Sequence, residues 1–337
     1  MIFSYKTRQF LRRAGIFLLV AALLVTVALL LGAVWLRRFI VYTPQGARLD
    51  LNLSAPVGEE NIPSEPDKLT VTITYPQEGQ PSQDPMAQQR LAGYYITAQQ
   101  MQEDLPGLRQ KIAQLPAGTA ILLDVKNFWG YFYYSSTLGP GSDSFILAEI
   151  DGFIAELTQM DLYVIARLPA FRDYEYGLHN IPSGLATSKG YLWTDEKGCY
   201  WLDPTDDGTL TYLIQITKEL RSMGFDEVVF QDFYVPESKN IDFSVDRKEA
   251  VEAAAATLVT ACATDNFVVS FLAYRTDLIL PEGNCRLYLT GVAAADVEDV
   301  LRQTVVEDRL HKVVFFAQTN DTRYDVCGTL RPLELAH

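Results

Sequence analysis

From Leu91 onward, short runs of β-branched and aromatic residues alternate with amphipathic stretches of helical length, and this alternation constrains the fold more than any other feature. The runs are AGYYIT (92–97), TAILLDV (119–125), LYVIARL (162–168), EVVFQDF (227–233), NFVVSFLA (266–273), CRLYLTG (285–291) and KVVFFAQ (312–318). Helices are expected between them, near 104–115, 144–159, 207–222, 246–264 and 294–306. Strands this continuously apolar must be covered on both faces, and strands separated by helices run parallel. Residues 91–337 also have the size of a (β/α)8 barrel, about 250 residues. The expected fold class is therefore α/β, a TIM-type barrel that is either complete or irregular, because seven strands are evident rather than eight. The eighth lies at 69–76, lies near 322–330, or is missing. An open doubly wound sheet is the alternative, but it usually carries a glycine-rich phosphate turn after its first strand, and AGYYIT is followed by none.

Ahead of this region, Arg13 and Arg37 bracket 23 uncharged, mostly apolar residues, 14–36. As a helix they would be roughly 34 Å long, enough to span a bilayer. The stretch exceeds the about 7–15 apolar residues of a cleaved signal peptide and runs through Trp35 into Arg37 and Arg38, so it reads as an uncleaved anchor. Basic residues on its N-terminal side slightly outnumber those following it, which favours a cytoplasmic N-terminus and an extracytoplasmic bulk. The expected organisation is a cytoplasmic tip and transmembrane helix over 1–42, a Pro-, Ser- and acid-rich linker over 43–90 with one strand at 69–76, and a barrel over 91–337.

Charge divides the same way. The chain has 28 Lys+Arg against 42 Asp+Glu, and six of the basic residues fall in the first 38 positions with no acid among them, leaving the remainder at −20. So acidic a domain disfavours nucleic acid as a partner. Cys199, Cys262, Cys285 and Cys327 contain no Cys-x-x-Cys spacing, and Cys262 sits in an Ala-rich helical run that suits a buried thiol. With only His179, His311 and His337, neither a His-rich zinc site nor a Ser-His-Asp triad is expected, and no nucleotide-binding glycine motif is present. No metal and no cofactor is expected.

In a (β/α)8 barrel the chemistry sits on loops after the strands, so polar residues ending apolar strands are the informative ones. The second strand ends in Asp124, with Lys126 on the same face by the period-two rule. The third ends in Arg167 and continues through Phe171, Arg172 and Asp173. The fourth ends with Phe230 and Asp232 on one face and Gln231 on the other. Asp226 and Glu227 begin that strand and so belong to the opposite, stabilising rim. A structural alternative stands beside each: Asp124 and Lys126 as a mere ion pair, and Arg167 as a holder of Asp232 or Asp124. The surrounding loops are aromatic, with FWGYFYY (128–134) and then Tyr174, Tyr176, Trp193, Tyr200, Trp201, Phe233 and Tyr234. Flat rings with polar edges suit stacking on sugars.

AGYYIT, AILLDVKNFWGYFYYSS (120–136), LYVIARLPAFRD (162–173), YWLDP (200–204) and YLIQITKELRSMGFDEVVFQDFYVP (212–236) together resemble a bacterial family of TIM-barrel, glycosidase-like domains. The resemblance covers residues 91–236. It implies polysaccharide cleavage outside the membrane, with the family's Asp, Arg and Asp on the second, third and fourth strands falling on Asp124, Arg167 and the Gln231–Asp232 pair. The family's fourth strand runs Phe-Asp-Tyr-Val-Arg-Phe-Pro, so an ungapped comparison puts Gln231 at the Asp and Tyr234 at the Arg. The expected function is a membrane-anchored glycoside hydrolase acting on a carbohydrate polymer, with Asp232 as nucleophile or base and Asp124 as its partner. Lys126, Trp129, Tyr131, Arg167, Asp173, Trp201, Asp203, Gln231 and Tyr234 are expected to bind substrate, with Asp173, Glu175 and Asp203 as reserve acids. A catalytically inactive barrel that binds envelope glycan or a protein partner is the alternative, and a purely structural envelope protein is the third.

Overall fold

The computed structural model describes residues 40–43, 46–49, 90–273 and 276–334. The chain divides into two compact units, Met1–Glu78 and Gly79–His337. In the first, Ile40–Thr43 pairs antiparallel with Gly46–Leu49, Ile40 opposite Leu49, where the sequence suggested no strand. The apolar span 14–36 and the strand expected at 69–76 lie outside the described residues. Among the described residues, no helix is long and apolar enough to cross a membrane.

The second unit is a closed barrel of eight parallel strands. These are β1 (Ala92–Ile96), β2 (Ala120–Asp124), β3 (Tyr163–Pro169), β4 (Glu227–Gln231), β5 (Val268–Ala273), β6 (Leu287–Leu289), β7 (Val313–Phe316) and β8 (Gly328–Pro332). Seven occupy the expected runs, six with trimmed ends and β3 moved on by one residue to Pro169. The eighth is GTLRP, which overlaps the end of the segment suggested near 322–330; it pairs with both β7 and β1 and closes the ring.

Burial on two faces separates the strand residues cleanly. Leu91, Leu122, Ile165, Val229, Leu272, Tyr288, Val314, Phe316 and Leu330 form one cluster drawn from every strand or its edge, and this fills the barrel lumen. Their neighbours of opposite parity, such as Ile121, Leu123, Val164, Val228, Phe230 and Phe315, pack with helical residues including Leu108, Phe153, Ile216 and Leu258. Gly93 is required by close approach: a Cβ there would lie 1.9 Å from the Ala120 carbonyl oxygen on β2.

The helices are α1 (Ala98–Glu103), α2 (Leu105–Ile112), α3 (Leu147–Leu157), α4 (Tyr174–His179), α5 (Asp207–Ser222), α6 (Arg247–Cys262), α7 (Val297–Gln303) and α8 (Arg309–Lys312). The five expected stretches appear as α2, α3, α5, α6 and α7. The additional α1, α4 and α8 are too short to display a helical period. Aspartate caps start several of them: Asp104 accepts from the Gly107 N–H, Asp173 from Tyr176, Asp206 from Thr209, and Asp246 from Lys248 and Glu249.

At the N-terminal end of the lumen, Glu227 and Arg286 form a fully buried ion pair. Tyr163 and Tyr288 each donate a hydroxyl hydrogen bond to Glu227 at 2.9 Å, and Arg286 Nη1 also donates to the Tyr163 oxygen at 3.0 Å. Burial, with the Glu227 charge adding to it, pushes both tyrosine pKa values well up. Asp226 accepts the Val164 N–H at 2.7 Å, so both acids beginning β4 serve the stabilising end of the barrel.

Candidate active site

At the C-terminal mouth, Asp124 ends β2 directly opposite Arg167 on β3. Arg167 Nε donates to Asp124 Oδ1 at 2.7 Å, and the Ala98 N–H at the start of α1 lies 3.4 Å from the other carboxylate oxygen. Both side chains continue the lumen-facing parity of Leu122 and Ile165, and both keep contact with solvent. The guanidinium carbon of Arg167 lies 5.1 Å from the centre of the Phe316 ring, which meets Tyr95 edge-on at 5.5 Å. Burial raises the Tyr95 hydroxyl pKa, opposed by the Arg167 charge. Tyr133 is pushed up to about 12 by burial and by the nearby Asp124 charge. Of the alternatives for Arg167, the structure selects pairing with Asp124.

Lys126 is not beside Asp124, and the period-two reading needs correction there. The strand stops at Asp124, and Lys126 then forms an antiparallel bridge to Phe132 within the loop, so strand alternation no longer sets its direction. Its ammonium pairs with Asp173, both side chains being wholly buried, and lies 5.4 and 5.6 Å from the ring centres of Phe132 and Tyr212. Asp173 also accepts the Tyr212 hydroxyl at 3.1 Å and the Tyr176 N–H at 3.0 Å. Neither residue presents a side-chain atom to a ligand in this conformation. They pin the loop after β2 to α4.

Asp203 accepts the Thr205 N–H and hydroxyl at 2.7 and 2.6 Å, which closes the turn before α5. Trp201 is buried, with its indole N–H donated to Asp195 at 3.1 Å. Arg172 reaches the same carboxylate at 2.5 Å and lies 4.1 Å from the centre of the Phe128 ring. Asp195 is desolvated, yet the Cys199 and Lys197 N–H groups, Trp201 and Arg172 together hold its pKa below the usual value. Sequence reasoning gave Asp195 and Arg172 no role. Asp195 lies far from any strand end in a polar loop, and only its partners reveal it.

Trp129, Tyr131 and Tyr234 are each more than a third exposed. Trp129 meets Tyr174 edge-on at 5.5 Å, Tyr174 stacks on Tyr200 at 5.1 Å, and Tyr131 donates to Glu175 at 3.2 Å. These rings line the loops after β2 and β3. Tyr234 packs against Trp201 at 4.9 Å across the loop after β4.

On β4 the faces differ from the simple expectation. Phe230 belongs to the helix-facing core, and Gln231, two residues beyond Val229, follows the lumen-facing parity. Asp232 then has φ 51°, the left-handed region, and is the only non-glycine residue there among the described residues. Its backbone leaves strand geometry, so strand parity does not determine its side-chain direction. Burial raises the Asp232 pKa, opposed most by Arg172 and also by Arg167 and Lys197, while Asp195 adds to the rise. No hydrogen bond to its carboxyl is made among the described residues. The mouth thus holds an ion-paired acid, Asp124, and a desolvated acid, Asp232, with β3 and Arg167 between the strands that carry them.

All four cysteines are buried and free, and among the described residues no group of His, Cys, Asp and Glu is arranged to hold a metal ion.

A structure from Ruminiclostridium thermocellum ATCC 27405, a hypothetical protein, is 23% identical, covering 53% of this chain and 96% of that chain at a TM-score of 0.46. An α-galactosidase from Lactobacillus brevis is 12% identical and covers 73% of this chain and 38% of that chain at 0.52. A β-N-acetylhexosaminidase from Bacteroides fragilis NCTC 9343 is 11% identical and covers 69% and 50% at 0.45. The chain thus spans half or less of the length of these two glycosidases, and the likeness to the α-galactosidase concerns the fold. No curated protein matches the sequence. The family profile described as "Putative glycosyl hydrolase domain" matches residues 93–280, from β1 to beyond β5. That match takes in more than half of the sequence, with Asp124, Arg167 and Asp232 inside it, and the protein belongs to this glycosyl hydrolase domain family.

Proposed function

We propose that the protein is a glycoside hydrolase of the outer membrane face, held there by residues 14–36, that cleaves a carbohydrate polymer at the barrel mouth. Asp232 is the general acid and Asp124 the base that activates water. This exchanges the roles expected from sequence, because an acid whose pKa is raised by burial is suited to protonate a leaving oxygen, which leaves Asp124, with one oxygen on Arg167 and the other meeting only the Ala98 N–H at 3.4 Å, to receive the proton from water. The observation that carries the reading is this difference in environment between two carboxyls on one mouth. Two interstrand steps of about 4.8 Å separate β2 from β4, which favours the wider carboxyl spacing of inverting enzymes, about 6.5–9.5 Å, over the 5–5.5 Å of retaining ones. Trp129, Tyr131 and Tyr234 supply exposed rings for the sugars.

The test is reducing-end release from purified envelope polysaccharides by the full chain in detergent. Asp232→Asn and Asp124→Asn should each lower the rate at least 100-fold, with anomeric inversion seen by NMR in the wild-type products. The active form has Asp232 protonated, so the rate should fall as pH rises through its elevated pKa, and Asp232→Asn should lose that limb. Full activity in both variants would falsify the assignment.

One observation favours a second reading, a glycan-binding barrel without turnover. Gln231 takes the lumen-facing position on β4, which the ungapped family comparison gives to a carboxylate. That reading predicts binding without cleavage, lost in Trp129→Ala and retained in Asp232→Asn.

A further inference from the structure

Beside the mouth, the loop after β4, the start of α6 and the end of β5 enclose a groove of about 1,370 Å³. This exceeds the roughly 300–1,000 Å³ of small-ligand pockets and suits several linked units of a polymer. Tyr234, the exposed ring packed on Trp201, lines it, so the groove continues from the residue that borders Asp232. Val235, Ile241 and Leu278 supply an apolar wall.

Its charged lining is balanced, with Lys239, Arg247 and Lys248 against Glu237, Asp246 and Asp277, and Lys248 is paired with Glu252. Arg247, the first residue of α6, lines the groove with its guanidinium near the Phe243 ring, 6.0 Å from the centre, and its Nε is buried with no hydrogen-bond partner. Among the described residues it forms no ion pair, although 42 acids are available in the sequence. Lys239 on the same wall is likewise unpaired among the described residues. None of the wall's acids pairs with Arg247 among the described residues: Asp246 turns its carboxylate to the Lys248 and Glu249 N–H groups that begin α6, and Glu237 and Asp277 have interactions of their own. A half-buried cation without a counter-charge is costly, and an anionic ligand would relieve the cost.

We propose that this groove is a subsite for an acidic polysaccharide, with Tyr234 stacking on a sugar face and Arg247 and Lys239 binding carboxylates along the chain. It deepens, and rests on, the glycan-active reading of the mouth. Acids elsewhere in the domain are screened beyond the Debye length, about 8 Å at physiological salt, so the opposition to such a ligand comes from Glu237, Asp246 and Asp277 in the groove itself.

Affinity electrophoresis of the detergent-solubilised full chain, in gels containing polygalacturonate or neutral dextran, tests it. Polygalacturonate should retard the wild type, and Arg247→Ala should weaken that retardation at least 10-fold, Lys239→Ala less, and Arg247→Lys least. Raising the salt to about 0.5 M should weaken it too. Arg247→Ala loses no ion pair, so its thermal midpoint should match or exceed the wild-type value. No retardation by polygalacturonate, or equal retardation of Arg247→Ala and wild type, overturns the subsite. Failure of the mouth reading appears separately, as glycan binding that is indifferent to Trp129→Ala.

Discussion

Asp232 is unfavourably placed twice over, by a left-handed backbone and by burial of a carboxyl that accepts no hydrogen bond among the described residues. Its folded pKa lies above the unfolded value, so the native state binds the proton more tightly, and stability falls as pH rises from the ordinary aspartate range through the raised pKa. Asp232→Asn removes that fall. Its urea midpoint should therefore exceed the wild-type value at pH 7, with the gap closing below about pH 3.9. Asp232→Gly should gain about 1 kcal/mol more by relieving the backbone strain. A gain in stability together with a loss of activity in these variants would mark Asp232 as a functional position. At this scale the sequence revealed Asp124 and Arg167, because each sits at the end of an apolar strand where alternation still applies. It misread Lys126, two residues later, because the strand had already stopped. It brought Asp232 to the end of β4 without revealing the left-handed turn, which few residues other than glycine adopt.

Among the elements, the loop after β2 carries Trp129 and Tyr131, and its position depends on the Lys126–Asp173 pair beneath it. Asp173 joins three parts at once: the loop through Lys126, α5 through Tyr212, and the start of α4 through the Tyr176 N–H. Asp173→Ala would leave a buried ammonium unpaired, at a cost of about 3–5 kcal/mol in chemical denaturation. It should also weaken glycan binding as strongly as Trp129→Ala does, since the rings lose their support. If denaturation midpoints for Asp173→Ala and wild type agree, the pin is not structural. None of this was evident from sequence, since a loop, α3 and β3 lie between the two residues. The strands, by contrast, were legible because both their faces are buried. The exception, GTLRP, begins with glycine, ends with proline and contains an arginine, so it lacks the apolar run that marks the others.

Across the whole molecule, the two ends of one lumen hold charge in opposite ways. The mouth keeps Asp124 and Arg167 in contact with solvent, whereas at the other end Glu227 and Arg286 are wholly buried with two tyrosines completing the network. A buried pair is destabilising to break but often nearly neutral to replace by apolar groups. Arg286→Met alone should therefore lower stability by about 3–5 kcal/mol, and Glu227→Leu alone should do likewise. The double variant Glu227→Leu/Arg286→Met should recover much of the loss, giving a coupling energy measurable in a double-mutant cycle. Val229, Leu272 and Val314 fill the lumen between the two ends, so rearrangement at the bottom has a packed apolar layer to cross. Glycan binding and any turnover should accordingly survive in the double variant at temperatures where it is folded. Loss of binding with an intact fold would mean that the lower network also sets the geometry of Asp124 and Arg167, which would make the barrel one electrostatic unit rather than a stabilising base beneath a separate site.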